Sequence, residues 1–149
     1  MTHEATRAEL KRLTDEFFRA VSFEAGGKPP YEIIRSLFIE QGLLIKNVGS
    51  ACEISSVSQF IEPRQALVDS GRLTRFHEAE LSEATVVFGN VAHRYSAYEK
   101  SGVQQGQAFE ARGMISTQFV RTPDGWKMSA MAWDDERPGL VLQDLRAKG

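Results

Sequence analysis

The sequence predicts an α+β fold, helices first and a long antiparallel meander second, with the helices covering one face of a curved sheet. Up to residue 70 the apolar side chains recur mostly at helical spacing, and from Arg72 onward the period becomes two. The period-two stretches are separated by Gly89-Asn90, by Ser101-Gly102 with further polar residues, and by Pro123-Asp124-Gly125, each of them hairpin punctuation.

Leu10, Leu13, Phe17 and Val21 form one apolar stripe, opposite Glu9, Lys11, Arg12, Asp15, Glu16 and Arg19, which predicts a helix over about 4–23. Gly26-Gly27-Lys28-Pro29-Pro30 ends it, because glycine accepts a left-handed C-terminal turn and proline cannot continue the ladder. A short helix over 31–36 follows, then a strand or hairpin from Leu37 to Val48 interrupted at Gln41-Gly42. Ser56-Val57-Ser58-Gln59 reads as a capping box, so a third helix is expected over 56–70, bent or restarted at Pro63. Four consecutive antiparallel strands fill a meander over 72–136: Phe76–Phe88, Val91–Tyr98, Phe109–Val120 and Trp126–Trp133. A short tail, 137–149, completes a single expected domain, 1–149.

Composition excludes several functions. Hydrophobic residues make up 42% and charged residues 26% of 149 residues, with a net charge of −2, an ordinary globular mix. Lysines and arginines are scattered singly, which leaves no electrostatic footprint for nucleic acid. The lone Cys52 has neither a disulfide partner nor a histidine at finger spacing. No stretch has the length of a signal or membrane segment, so a cytoplasmic protein that does not engage membranes is expected. No phosphate-binding glycine loop, dinucleotide fingerprint, nucleophile elbow or HExxH occurs; neither metal nor cofactor is expected.

Turn counting assigns the faces. Gly89-Asn90 pairs Phe88 with Val91, Val86 with His93 and Ala84 with Tyr95. The Pro123-Asp124 turn pairs Arg121 with Trp126 and, counted onward without interruption, Gln118 with Ser129, Ser116 with Met131, Met114 with Trp133 and Arg112 with Asp135. The connection 101–107 is long on this reading, and Tyr95 is set opposite Arg112 and His93 opposite Met114. One face then carries His93, Tyr95, Arg112, Met114, Ser116, Gln118, Met131, Trp133 and Asp135; the other carries Val87, Ile115, Thr117, Phe119, Trp126, Met128, Ala130 and Ala132. Large apolar residues on both faces imply that both are covered: one by helices and a cavity, the other by a second copy of the chain.

The segment from Ile115 to Glu136, with Asp124-Gly125-Trp126 at its turn, resembles the last hairpin of nuclear-transport-factor-2-like proteins. The opening helix with Phe17-Phe18, the glycine/proline break and Val87-Phe88-Gly89-Asn90-Val91-Ala92 are similar in order, and the likeness is nearest to bacterial members of the polyketide-cyclase-like branch. The resemblance implies a cone-shaped fold whose strongly bent, mostly antiparallel sheet wraps around the N-terminal helices, a pocket between sheet and first helix, and commonly a homodimer. The pocket positions of the superfamily's kinase association domains fall here on Gln118 and Trp133. Where ketosteroid isomerases carry an acidic base and a tyrosine donor, the nearest counterparts here are Asn47 and Phe17 or Phe18, which can perform neither role. Scytalone-dehydratase-like members pair histidines, whereas His77 lies on the far half of its strand from His93.

The expected ligand wall is therefore His93, Tyr95, Arg112, Met114, Ser116, Gln118, Met131 and Trp133. Trp126, Phe119 and Met128 are assigned to the dimer face, and Glu78, Glu80, Glu83 and Glu99 to a solvated edge. Three functions fit. The first is binding of a small hydrophobic or aromatic ligand with polar groups. The second is proton-transfer catalysis such as isomerisation, cyclisation or dehydration, with His93 or Asp135 as base and Arg112 or Tyr95 at an oxyanion. The third is a dimerisation module with a vestigial pocket.

Overall fold

The computed structural model describes residues 2–142; the part of the expected tail over 143–149 lies outside them. Nine elements follow in order: α1 (His3–Val21), α2 (Ile33–Leu37), β1 (Phe38–Lys46), β2 (Glu53–Ser56), α3 (Val57–Asp69), β3 (Leu73–Phe88), β4 (Val91–Gln104), β5 (Gln107–Thr122) and β6 (Gly125–Asp135). They form the expected α+β arrangement, a six-stranded sheet ordered β2-β1-β6-β5-β4-β3. All pairings are antiparallel except β1 with β6.

Helix α1 begins one residue earlier than its periodicity indicates, because the Thr2 hydroxyl accepts the Ala5 amide at 3.0 Å and so satisfies an otherwise orphaned donor. Leu10, Leu13, Phe17, Phe18 and Val21 are buried against the sheet. Past the helix, Phe23 bridges to Phe76 of β3, its amide 2.8 Å from the Phe76 carbonyl. Ser22 Oγ accepts the backbone amide of Glu78 at 3.1 Å. These two contacts fix the C-terminal end of α1 against the middle of β3.

The capping box at α3 is present in full: Gln59 N donates to Ser56 Oγ at 3.1 Å and Ser56 N donates to Gln59 Oε1 at 2.9 Å. The expected restart at Pro63 does not occur, since α3 runs through Pro63 as one helix. The short β2, pairing with the end of β1, was not expected from the sequence.

The Gly89-Asn90 and Pro123-Asp124 turns give the expected pairs Phe88/Val91 and Arg121/Trp126. The connection 101–107 is corrected. Both strands continue to a two-residue turn, Gln105-Gly106, whose φ values of 51° and 77° are both positive, the handedness that matches strand twist in a tight hairpin. Tyr95 consequently faces Ser116 and His93 faces Gln118, on the same side as expected but four residues away from the expected partners.

Two bulges then overturn the face assignment. In β6, Met128 pairs with Phe119 while Ala130 pairs with Gln118, leaving Ser129 as an extra residue. In β3, Glu80 pairs with Tyr98 while Ser82 pairs with Ala97, leaving Leu81 extra. Side chains alternate with a period of two, so one inserted residue moves every later side chain to the opposite face. Met128 and Met131 are both buried on the concave side as a result. Phe119, Trp126 and Met128, expected on the dimer face, belong instead to the core.

Candidate functional site

The concave face of the sheet, the end of α1 and helix α3 enclose a cavity of about 560 Å³. Its apolar lining comes from Phe17 and Val21 of α1, Phe60 and Leu67 of α3, Phe76 and Phe109 at the sheet edge, and Ile115, Met131 and Trp133 of β5 and β6, and it alternates with charged and polar side chains. The Phe60 ring stands edge-on to Trp133 with centroids 6.1 Å apart, and Phe17 lies 6.2 Å from Phe60. These rings pack against one another into one aromatic wall of the cavity, as centroid spacings in this range are favourable for offset or edge-on pairs.

One group of polar side chains lies on the sheet. Glu78, Lys100 and Asp135 come from three different strands, β3, β4 and β6. Lys100 is directly opposite Glu78 across the β3/β4 ladder, and its Nζ lies 3.0 Å from Asp135 Oδ1. Tyr98 donates its hydroxyl to the same Asp135 oxygen and also reaches the Asp134 carbonyl at 3.1 Å.

Tyr98 spans two strand spacings because residue 113 between it and Asp135 is glycine. In the ladder Tyr98 pairs with Gly113 and Gly113 with Asp135, and a Cβ at 113 would stand 2.6 Å from Tyr98 Cζ. The absent side chain is what lets the phenol lie flat across β5.

Burial dominates the electrostatics. It raises the Glu78 carboxyl to about 7, with the neighbouring Asp135 charge adding to the rise and Lys100 and Arg64 opposing it. Burial likewise pushes the Tyr98 phenol well above its usual range, reinforced by its hydrogen bond to Asp135. On the α3 wall, burial pulls the Arg64 guanidinium down while Tyr31, Glu78 and Glu53 support its charge. Tyr31, beside it, is raised to about 12 by burial, against the influence of Arg64.

The expected ligand wall and catalytic candidates divide. Met131, Trp133 and Asp135 line the cavity. His93, Tyr95, Arg112, Ser116 and Gln118 stand exposed on the convex face, with Met114 half-buried there; placing them in the pocket is corrected by the Ser129 bulge. They stay together as neighbours, His93 opposite Gln118 and Tyr95 opposite Ser116, but Arg112 faces Glu99 rather than Asp135. A base at His93 and an oxyanion donor at Arg112 or Tyr95 are therefore not cavity groups. Asp135 is, with one carboxylate oxygen engaged by both Tyr98 and Lys100.

Sequence reasoning missed Glu78, Lys100, Tyr98 and Arg64. Counting back from Gly89-Asn90 sets Glu78 opposite Ser101, on the face of His93; only the extra Leu81 turns it inward, opposite Lys100. Glu80 turns inward with it and is no solvated edge. Its carboxylate takes Arg94 in a two-point contact at 2.7 and 3.0 Å and the Ser96 hydroxyl at 2.6 Å. The available signal was the pair Glu78 and Glu80 at strand spacing two, on the same side as Phe76.

Among the described residues no three His, Cys, Asp or Glu side chains are grouped so as to hold a metal ion, and no helix is long and apolar enough to cross a membrane.

No family model matches the sequence, and no curated protein matches it. Solved structures do match in fold. A nuclear-transport-factor-2-like superfamily protein from Salmonella enterica superposes with a TM-score of 0.74 at 15% identity, covering 91% of this chain and 94% of that one. A candidate dehydratase of the same family from Streptomyces avermitilis gives a TM-score of 0.71 at 14% identity, covering 91% and 99%. An NTF2-like protein with a cystatin-like fold from Novosphingobium aromaticivorans gives 0.67 at 16% identity, covering 97% and 87%. Identities this low speak to architecture alone, and the architecture of this chain is the NTF2-like, cystatin-like α+β fold.

Proposed function

We propose that this protein binds a flat, largely apolar small molecule in the cavity, with a polar end of the ligand turned toward Glu78, Lys100 and Asp135. The observation that carries this reading is a cavity in which an aromatic wall, Phe60 edge-on to Trp133, stands with the polar groups Glu78, Lys100 and Asp135 of the sheet. An apolar pocket with a few placed polar groups is the usual form of a small-molecule site. Native mass spectrometry of protein purified without added ligand tests it: a co-purifying small molecule that is lost from Trp133→Ala supports the reading. An empty wild-type protein whose Trp133 fluorescence responds to no flat aromatic compound would count against it.

A second reading is proton-transfer catalysis, isomerisation, cyclisation or dehydration, with Glu78 in the role first expected of His93 or Asp135. It is favoured by the geometry of Glu78, whose carboxyl lines the cavity and makes no ion pair among the described residues, while Lys100 beside it can donate to a developing oxyanion. The raised Glu78 carboxyl suits exchange of protons near neutrality. The Streptomyces structure is named as a candidate dehydratase, chemistry of the same kind. The ligand recovered above, incubated in deuterated water, should exchange a carbon-bound proton with wild-type protein and roughly 10²–10⁴-fold more slowly with Glu78→Gln.

The polyketide-cyclase-like branch, a cytoplasmic location and a homodimer formed through the convex sheet face remain part of the same proposal. The dimer is supported by exposed Val86, Phe88, Val91 and Tyr95, neighbours across the β3/β4 hairpin.

A further inference from the structure

The chain has two arginines drawn into its interior, and it treats them differently. Arg94 is saturated from within: Glu80 takes it in a two-point contact, Thr85 Oγ1 lies at 3.3 Å and Glu83 at 3.6 Å. Arg64 has no such partner. Its NH1 donates to the Phe60 carbonyl at 3.0 Å, its guanidinium carbon lies 3.7 Å from the Phe60 ring centroid, and no carboxylate among the described residues forms an ion pair with it. A guanidinium carries five N–H donors in a planar fork, so most of its donors are left for whatever enters the cavity that Arg64 lines.

Glu53 and Glu78 support this charge only from beyond ion-pair distance, and a planar two-oxygen anion is the direct partner that best matches the fork. The guanidinium lies over the Phe60 ring, and Phe60 in turn packs edge-on against Trp133. A ligand whose ring lies against this aromatic wall therefore brings a substituent to the arginine. The rest of the cavity limits the charge of that ligand. Glu53, Glu78, Glu110 and Asp135 also line it, against Lys46, Arg64 and Lys100, and Lys100 is already paired with Asp135. A second anionic group would meet these carboxylates.

Building on the small-molecule reading above, we infer that the ligand is a flat monocarboxylate, held by its carboxylate on Arg64 with its uncharged end toward Glu78 and Lys100. Tyr31, which lines the same wall, supplies a further hydroxyl beside the arginine.

The test compares three acids of increasing size, benzoate, 4-phenylbutyrate and 2-naphthoate, each with its neutral amide, by isothermal titration at pH 7. Wild-type protein is expected to bind at least one acid tenfold or more tightly than the corresponding amide. Arg64→Gln should abolish that preference while leaving amide affinity within about twofold, and Arg64→Lys should retain part of it. Amides binding as tightly as acids, or a preference that survives Arg64→Gln, would overturn the carboxylate assignment and leave the small-molecule reading standing. No binding of any acid or amide would overturn both. The wild-type comparison of acid with amide decides the matter even if Arg64→Gln folds poorly.

Discussion

Glu78 of β3 and Lys100 of β4 are directly opposed across the ladder, yet the lysine ammonium is paired with Asp135 of β6 at 3.0 Å, and Glu78 is left facing the cavity without an ion-pair partner among the described residues. Burial raises the Glu78 carboxyl to about 7, whereas an unfolded glutamate sits near roughly 4.3. Between those values the native state keeps a proton that the unfolded chain has released, so stability is greatest at low pH on this account and falls as pH rises toward 7. The loss amounts to at most about 4 kcal/mol. Lys100, Asp135 and Arg64 are the charged groups that act on it. Urea denaturation at pH 5, 6, 7 and 8 should show Glu78→Gln gaining on wild type as pH rises; a gap that does not change with pH would mean the carboxyl is well hydrated.

Gly113 permits the Tyr98 phenol to reach Asp135. Gly113→Ala places a methyl 2.6 Å from Tyr98 Cζ and against β6 backbone, so the ring or the strand must move, at a cost of about 1–3 kcal/mol. Thermal melting measures the loss. An alanine variant as stable as wild type would show that the phenol is not held across β5.

The pair Arg94 and Glu80 is buried, with side chains 5% and 15% exposed. Removing one partner leaves a charge in a poorly hydrated place, so Arg94→Met should destabilise by roughly 3–5 kcal/mol. Changing both, Arg94→Met with Glu80→Met, should recover much of that, because desolvation of the pair offsets much of its attraction. Denaturant midpoints of the two single variants and the double variant form the cycle.

On the convex face Phe88 is 84% exposed beside Val86 and Val91, an apolar patch that a lone chain would present to water. Analytical ultracentrifugation at micromolar concentration is expected to give the mass of two chains, and Phe88→Asp with Val86→Asp to give one. A wild-type mass of one chain would remove the homodimer.

Local sequence pattern was enough to determine the helices and the four-strand meander of this protein. The Leu10-Leu13-Phe17-Val21 stripe, the Ser56/Gln59 capping box and the Gly89-Asn90 and Pro123-Asp124 turns are local interactions, complete within a few residues, and they are where the sequence indicates. Together they specify helices followed by a meander, hence the α+β class. The Gln105-Gly106 hairpin was less legible, since glutamine at a positive-φ position lacks the usual signature of asparagine or aspartate before glycine.

Which face each strand turns inward was decided only by the tertiary structure. A bulge is a long-range choice: the strand accepts an unpaired residue because the side chains on either side of it then both reach the core. Ser129 is passed over so that Met128 and Met131 are buried together with Trp126 and Trp133 on one side, and Leu81 is passed over so that Phe76, Glu78 and Glu80 turn toward α1 and α3 while Val86 and Phe88 remain on the hairpin. Nothing local to Ser129 or Leu81 announces this, because the gain lies in packing against the helices α1 and α3 elsewhere in the chain or in the pairing of Arg94 with Glu80. The sequence alone therefore determined the fold class, while the inward turn of Glu78 and the exclusion of His93 followed from two inserted residues whose placement depends on the whole core.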